Sequence, residues 1–313
     1  RTRTGRCCAM PHDLEAYVVV QGSEGSERLG AREGRAIGMR VLLAYCLLCS
    51  AAAGAPSSAK KQVRWFVPLL ERNYQHEATM ITRHRKSMTG AIVWTFMAIN
   101  HSTGSCTPTF NESFTATLLR PWKESGLSLQ VGYCAGALSR GSLSNGSALG
   151  TIDSVVSFAT HHGFDSINVD FEQDALNHSM AEALPFLDFV GNLSAAAHKS
   201  GLRIQVDTTA QGVGMHYAEL VARGADSLMP MSQTYFGLNV SKDREMVARY
   251  KNAIPVSKLH VGLSASMNAS GAAHCKHGDN GWTAESLRNW LQWIGEQGVS
   301  RVDVFQCWGW EYI

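Results

Sequence analysis

Phe164-Asp165-Ser166-Ile167-Asn168-Val169-Asp170-Phe171-Glu172-Gln173 alternates polar and apolar residues with a period of two. Successive side chains on a β-strand point to opposite faces, so Asn168, Asp170 and Glu172 share one side and Ile167, Val169 and Phe171 the other. In a strand buried on both faces that arrangement is expensive. A buried, unpaired carboxylate costs several kcal/mol or shifts its pKa until it is neutral. A strand that turns three polar groups inward at that cost marks a site of chemistry.

The same alternation of short apolar runs and longer amphipathic stretches extends along the chain. Strands are expected at Val63 to Leu70, Gly90 to Ile99, Leu127 to Cys134, Ser166 to Glu172, Leu202 to Thr209, Ser227 to Thr234, Lys258 to Ser266 and Val299 to Trp308. Helices are expected near residues 73 to 87, 113 to 125, 148 to 163, 178 to 200, 215 to 223, 241 to 253 and 283 to 297. Gly163, Gly201 and Gly298 stand where helices must end in a left-handed cap before a strand. Parallel strands need crossovers of a dozen residues or more, and right-handed crossovers over eight strands define an α/β fold of the (β/α)8, TIM-barrel type. A doubly wound open sheet is disfavoured, because Leu70-Glu71-Arg72-Asn73 replaces the glycine-rich loop that such sheets carry after the first strand. Ile313 follows the eighth strand so closely that the barrel is expected without its last helix, through truncation or imperfect closure at that edge.

At 313 residues with 45% hydrophobic content, the chain accommodates one barrel domain, expected over residues 62–313. Charged residues make up 17% and the formal net charge is +2, so a polyelectrolyte partner such as nucleic acid is not expected. Residues 1–38 lack periodicity and read as a disordered or non-native leader. Met39 and Arg40, the apolar run Val41 to Ala53, and small residues Gly54 and Ala55 form the order of a secretory signal peptide, placed at 39–55, with 56–61 as linker. The run is too short to span a bilayer unaided, so no stable membrane insertion is expected after cleavage; an uncleaved anchor is the alternative.

Cys106, Cys134, Cys275 and Cys307 would remain in the mature chain, and three disulfide connectivities stay open. They lack CxxC or CxxH spacing, and no cofactor or metal is expected. Glycosylation sequons at Asn100, Asn111, Asn145, Asn177, Asn192, Asn239 and Asn268 agree with a glycosylated protein of the secretory pathway, extracellular or lysosomal.

In barrel enzymes the active site gathers at the C-terminal strand ends. Glu172 ends the fourth expected strand there, with Asp170 and Asn168 below it; a crowded, water-poor row of acids pushes one carboxyl toward the protonated form and makes Glu172 a candidate general acid. Asp207 closes the fifth strand, and Gln233 closes the sixth with Tyr235 just beyond, which makes them candidate substrate contacts. Trp308 and Trp310 close the eighth, whereas Trp290 and Trp293 are spaced for helix packing. His161 and His162 precede the acidic strand at its non-catalytic end, and Ser139 to Ser147 contains no GxSxG elbow.

Asp165-Ser166-Ile167-Asn168-Val169-Asp170-Phe171-Glu172 resembles the DxxDxDxE signature of glycoside hydrolase family 18, the chitinase family, with Asn168 standing where the signature has Asp. Its D-x-I-N-x-D-x-E-Q form is most similar to the di-N-acetylchitobiase branch. The resemblance implies retaining, substrate-assisted hydrolysis of β-linked N-acetylglucosamine glycans, chitin oligosaccharides or an N-glycan core. Glu172 would protonate the glycosidic oxygen, Asp170 would orient the substrate acetamido group that attacks the anomeric carbon, and Asn168 would support Asp170 by a hydrogen bond. This is an exception to the two-carboxylate scheme, since no protein nucleophile is needed. The family usually places Tyr where Gln233 stands, so Tyr235 is the candidate to replace it; Trp308 would form the floor under the sugar, as aromatic faces suit sugar C–H groups. Only Met267 to Gly281 separates the seventh strand from the next helix, where chitinases with deep grooves often carry a small extra domain, so the resemblance implies a shallow cleft. The competing expectation is a chitinase-like lectin that binds such glycans without cutting them.

Overall fold

The computed structural model describes residues 62–68, 81–83, 85–99, 106–108, 115–134, 143, 148–170, 179–208, 216–231, 240–264 and 284–305. The expected leader, signal peptide and linker lie outside the described residues. So do Glu172, Gln233, Tyr235, Trp308 and Trp310, and all seven sequon asparagines except Asn192.

Nine strands are described: β1 (Gln62–Pro68), β2 (Gly90–Ile99), β3 (Cys106–Pro108), β4 (Ser128–Cys134), β5 (Ser166–Asp170), β6 (Arg203–Thr208), β7 (Ser227–Pro230), β8 (Val261–Ser264) and β9 (Arg301–Phe305). Six α-helices accompany them: α1 (Arg120–Glu124), α2 (Ala148–His161), α3 (Met180–Lys199), α4 (Tyr217–Ala222), α5 (Val240–Ala253) and α6 (Ala284–Glu296). Eight strands form a parallel sheet in the order β7-β6-β5-β4-β2-β1-β9-β8, with β3 antiparallel to β2. The ends of this sheet meet: Leu228 and Leu259 form a parallel bridge, and His260 N donates to Leu228 O at 2.9 Å. A Cβ at Gly262 would lie 3.0 Å from Pro230 O, so a larger residue there would hold β8 away from β7. The result is a nearly closed eight-stranded parallel barrel with flanking helices, the (β/α)8 type.

Each strand divides its residues between two environments. Val63, Val67, Val131, Ile167, Val169 and Val206 point outward and are buried against the helices. Ile152, Val155 and Ala159 of α2, and Phe186, Leu187, Val190 and Leu193 of α3, meet them from the helical layer. Each large side chain buried in this way stabilises the fold by ~1.5–3 kcal/mol. The α3 helix starts at Ser179, whose hydroxyl accepts from Glu182 N at 3.3 Å, satisfying one of the helix's otherwise unbonded first-turn donors. At the exits of α2, α3 and α6, Gly163, Gly201 and Gly298 have φ of 71°, 74° and 81°. That left-handed backbone is strained for a residue with a Cβ, which accounts for the expected caps.

Several details differ from the sequence expectations. The helix expected over 73 to 87 is described only from residue 81, as a helical turn at 81–83 followed by a 3-10 turn at Arg85–Ser87. The helix expected over 113 to 125 is divided into a π-helix at Thr115–Leu119 and α1. Pro121 lacks an N–H and cannot continue an α ladder from upstream, so it sits in the first turn of a new helix instead. The three residues of β3 carry too little pattern to be read as a strand. Closure is also not weakest at the last strand: β9 pairs with both β1 and β8, and the seam lies between β7 and β8. No helix among the described residues is long and apolar enough to cross a membrane.

Candidate active site

The barrel interior is polar at its base. Arg64 on β1 pairs in register with Asp303 on β9, and its guanidinium donates to both carboxylate oxygens, Nε to Oδ1 at 2.8 Å and Nη2 to Oδ2 at 2.6 Å. Nη1 donates to Gln130 Oε1 on β4 at 2.9 Å, and Nη2 also reaches Gln205 Oε1 on β6 and His260 Nδ1. One planar cation thus ties four strands and the approach to β8. A fork of fixed donors suits this task, where a lysine ammonium would not.

Charge in this setting follows the contacts. Burial by itself would raise the Asp303 carboxyl, but Arg64 and His260 outweigh it and hold the group well below the usual carboxylate range. Burial drives His260 the other way, and with the neighbouring Arg64 charge lowers it to about 4, so the imidazole is neutral at physiological pH. Its Nε2 faces Arg301 Nη1 at 3.1 Å.

The network continues upward to the residues singled out in the sequence. Gln205 Nε2 donates to Asp303 Oδ2 at 2.9 Å and to Asp207 Oδ1 at 3.1 Å. Asn168 Nδ2 donates to the same Asp207 oxygen at 2.7 Å. The amide expected to support Asp170 is therefore engaged with Asp207. Asp170 and Asp207 face the interior from adjacent strands and are register partners; Asn168 is paired likewise with Gln205. Asn168, Asp170 and Asp207 are 0%, 1% and 1% exposed, so all three expected polar positions that are described lie in the barrel interior.

Above and across from them the wall turns apolar. Phe66, Ile92, Met229 and Met231 form a separate buried cluster inside the barrel, and Met229 is the register partner of Asp207 on its other side. This environment withholds water from Asp207. Its carboxyl is pushed well above the usual range by burial, with the Asp303 charge adding to the effect against the amide bonds from Gln205 and Asn168. Burial thus holds Asp207, a residue read from the sequence as a substrate contact, toward neutrality. Glu172, two residues beyond the end of β5, lies outside the described residues.

The sequence reading missed Arg64, Gln130, Gln205, His260 and Asp303. A signal existed for all five. Arg64, Gln130, Gln205, His260 and Asp303 are each polar residues at an inward position of an expected strand, flanked by outward apolar ones, the same pattern that drew attention to Asn168 and Asp170. Trp290 is buried and Trp293 packs at the core margin under Arg244, whose guanidinium carbon lies 5.3 Å from the ring centroid, in agreement with helix packing.

Comparison with known proteins places this geometry in context. No family model and no curated protein matches the chain. Solved structures do match it. A chitinase from Chromobacterium violaceum aligns over 79% of this chain and 94% of its own, at 18% identity and a TM-score of 0.59. A chitinase from Bacteroides thetaiotaomicron aligns over 79% and 90%, at 13% identity and a TM-score of 0.63. The spore cortex-lytic enzyme SleL of Bacillus megaterium aligns over 81% and 72%, at 14% identity and a TM-score of 0.57. At these identities the likeness establishes the barrel, which this chain shares with chitinases and a cortex-lytic enzyme.

Proposed function

We propose that this chain is a glycoside hydrolase of family 18, closest in kind to the chitobiase branch, which cleaves β-linked N-acetylglucosamine glycans by substrate-assisted retaining catalysis. Glu172 donates a proton to the glycosidic oxygen and later activates water, while Asp170 orients the acetamido nitrogen and stabilises the charge that develops on the ring formed by its oxygen. Gln233, Tyr235 and Trp308 contact the sugar, and the reaction needs no cofactor. The observation that carries the reading is the burial of Asp170 on the inward face of β5, two positions before Glu172, in a barrel of the kind that chitinases use.

The apolar run from Val41 and the sequons support a secretory-pathway location, extracellular or lysosomal; Asn192 is exposed on α3, open to a glycan. The test is turnover of a chromogenic chitobioside, with product analysis on an N-acetylglucosamine oligomer series. Glu172→Gln is expected to lower turnover by about 10²- to 10⁴-fold while binding persists. Unchanged turnover would remove Glu172 from its role.

One feature favours a second reading, a glycan-binding lectin: Gln233 stands where the family usually has Tyr. Wild-type binding of the oligomers without any cleavage would decide for it.

A further inference from the structure

The interior carries a carboxyl whose state the scheme above does not use. Asp207 and Asp170 are register partners on adjacent parallel strands, and both face the barrel interior. Neighbouring strands are ~4.8 Å apart, so the two carboxyl groups are neighbours on one wall. Asp207 Oδ1 is saturated by the amides of Asn168 and Gln205. Its Oδ2 is fully buried and accepts no hydrogen bond from a donor among the described residues. A buried carboxylate oxygen without a donor is costly, whereas a protonated one becomes a donor itself.

The groups around it favour that outcome. Burial comes first and the Asp303 charge from β9 adds to it, while Met229 supplies only apolar surface from β7 and the Asp170 carboxyl stands in register on β5. The nearby cation, Arg64, is committed to Asp303, and His260 lies with that pair at the base. No cation among the described residues bonds to Asp207.

We propose that Asp207 is a positioning residue for Asp170: it carries one proton on Oδ2 and donates it in a hydrogen bond to the Asp170 carboxylate, so that the two acids hold a single negative charge between them. No bond other than that to the proton is made or broken. Asn168 fixes the arrangement by occupying Oδ1, which leaves Oδ2 as the only oxygen for the proton. The catalytic consequence rests on the hydrolase reading: Asp170 is held ionised and aimed by a neutral neighbour, and ionisation of Asp207 would place a second charge beside it.

The experiment is a pH titration of the full chain carrying aspartate labelled with ¹³C at the side-chain carboxyl, in wild type, Asp207→Asn and Asp170→Asn. The expected result is a carboxyl that stays protonated through pH 7, is lost in Asp207→Asn, and moves its midpoint down by about one pH unit or more in Asp170→Asn, because a neighbouring charge has gone. An Asp207 signal titrating in the ordinary carboxylate range, or one indifferent to Asp170→Asn, overturns the proposal. Wild type and Asp170→Asn suffice for this comparison should Asp207→Asn not fold.

These readouts need no substrate, so they hold even where wild-type turnover is absent and the hydrolase reading fails. With turnover present, Asp207→Asn, permanently neutral, is expected to keep KM within about twofold and move the alkaline limb of kcat by about one pH unit or more. A uniform loss of kcat at every pH would overturn the link from Asp207 to catalysis.

Discussion

Arg64 and Asp303 meet as a two-bond pair at the base of the barrel although 239 positions separate them in sequence. Both are buried, and desolvating two charges offsets much of their attraction, so the pair stabilises chiefly by comparison with its half-broken state. Arg64→Met is expected to cost about 3–5 kcal/mol by leaving Asp303 buried without its cation, and Asp303→Asn a smaller amount. Urea unfolding of both single variants and the double variant checks this, and the double variant is expected to be more stable than the sum of the two losses implies.

His260 predicts a pH dependence of stability. Its folded pKa of about 4 lies below the ordinary 6.5, so between those values the unfolded chain binds the proton and the folded one does not. Its contribution therefore weakens as pH falls from about 6.5 to about 4 and is constant outside that window. His260→Gln removes this term. The stability of wild type minus that of His260→Gln should decline across the window, and a flat difference between pH 7 and pH 4 would contradict the buried neutral imidazole.

At Gly90 the prediction is steric. A Cβ there would sit 2.5 Å from Ser128 O and 3.2 Å from Arg64 Cγ, and the carbonyl belongs to the ladder joining β2 to β4. Gly90→Ala is expected to destabilise by about 1–3 kcal/mol, since the backbone must part to admit the methyl group. Thermal denaturation measures it.

The proposed sugar contacts give a fourth prediction. Asp170→Asn is expected to lower kcat on a chromogenic chitobioside about 10²-fold or more with little change in KM, as befits a contact used in the transition state. Gln233→Tyr is expected to raise turnover if the missing phenol limits the wild type, and steady-state kinetics of the two variants report both effects.

Much of the barrel could be read from local pattern. The β5 strand was legible because Ile167 and Val169 alternate with Asn168 and Asp170, and the helix ends at Gly163, Gly201 and Gly298 because only glycine adopts that backbone without strain. The network beneath was not assembled from sequence, because its partners are distant: Arg64 bonds to Gln130, Gln205 and Asp303, 66, 141 and 239 positions away. Local alternation reports that a residue points inward; which inward residues meet depends on strand order. The same limit explains Asn168, whose amide was expected at Asp170 on its own strand and is bonded across to Asp207 on the next.

The hub at Arg64 also bears on how the protein is made. The guanidinium belongs to the first described strand and its carboxylate partner to the last, so on the ribosome the cation waits for nearly the whole barrel to be synthesised before its counter-charge emerges. Early strands that collapsed together would enclose an uncompensated positive charge, which penalises premature closure. Productive closure is thereby tied to the arrival of Asp303, at the entropic cost of joining the two ends of a long loop.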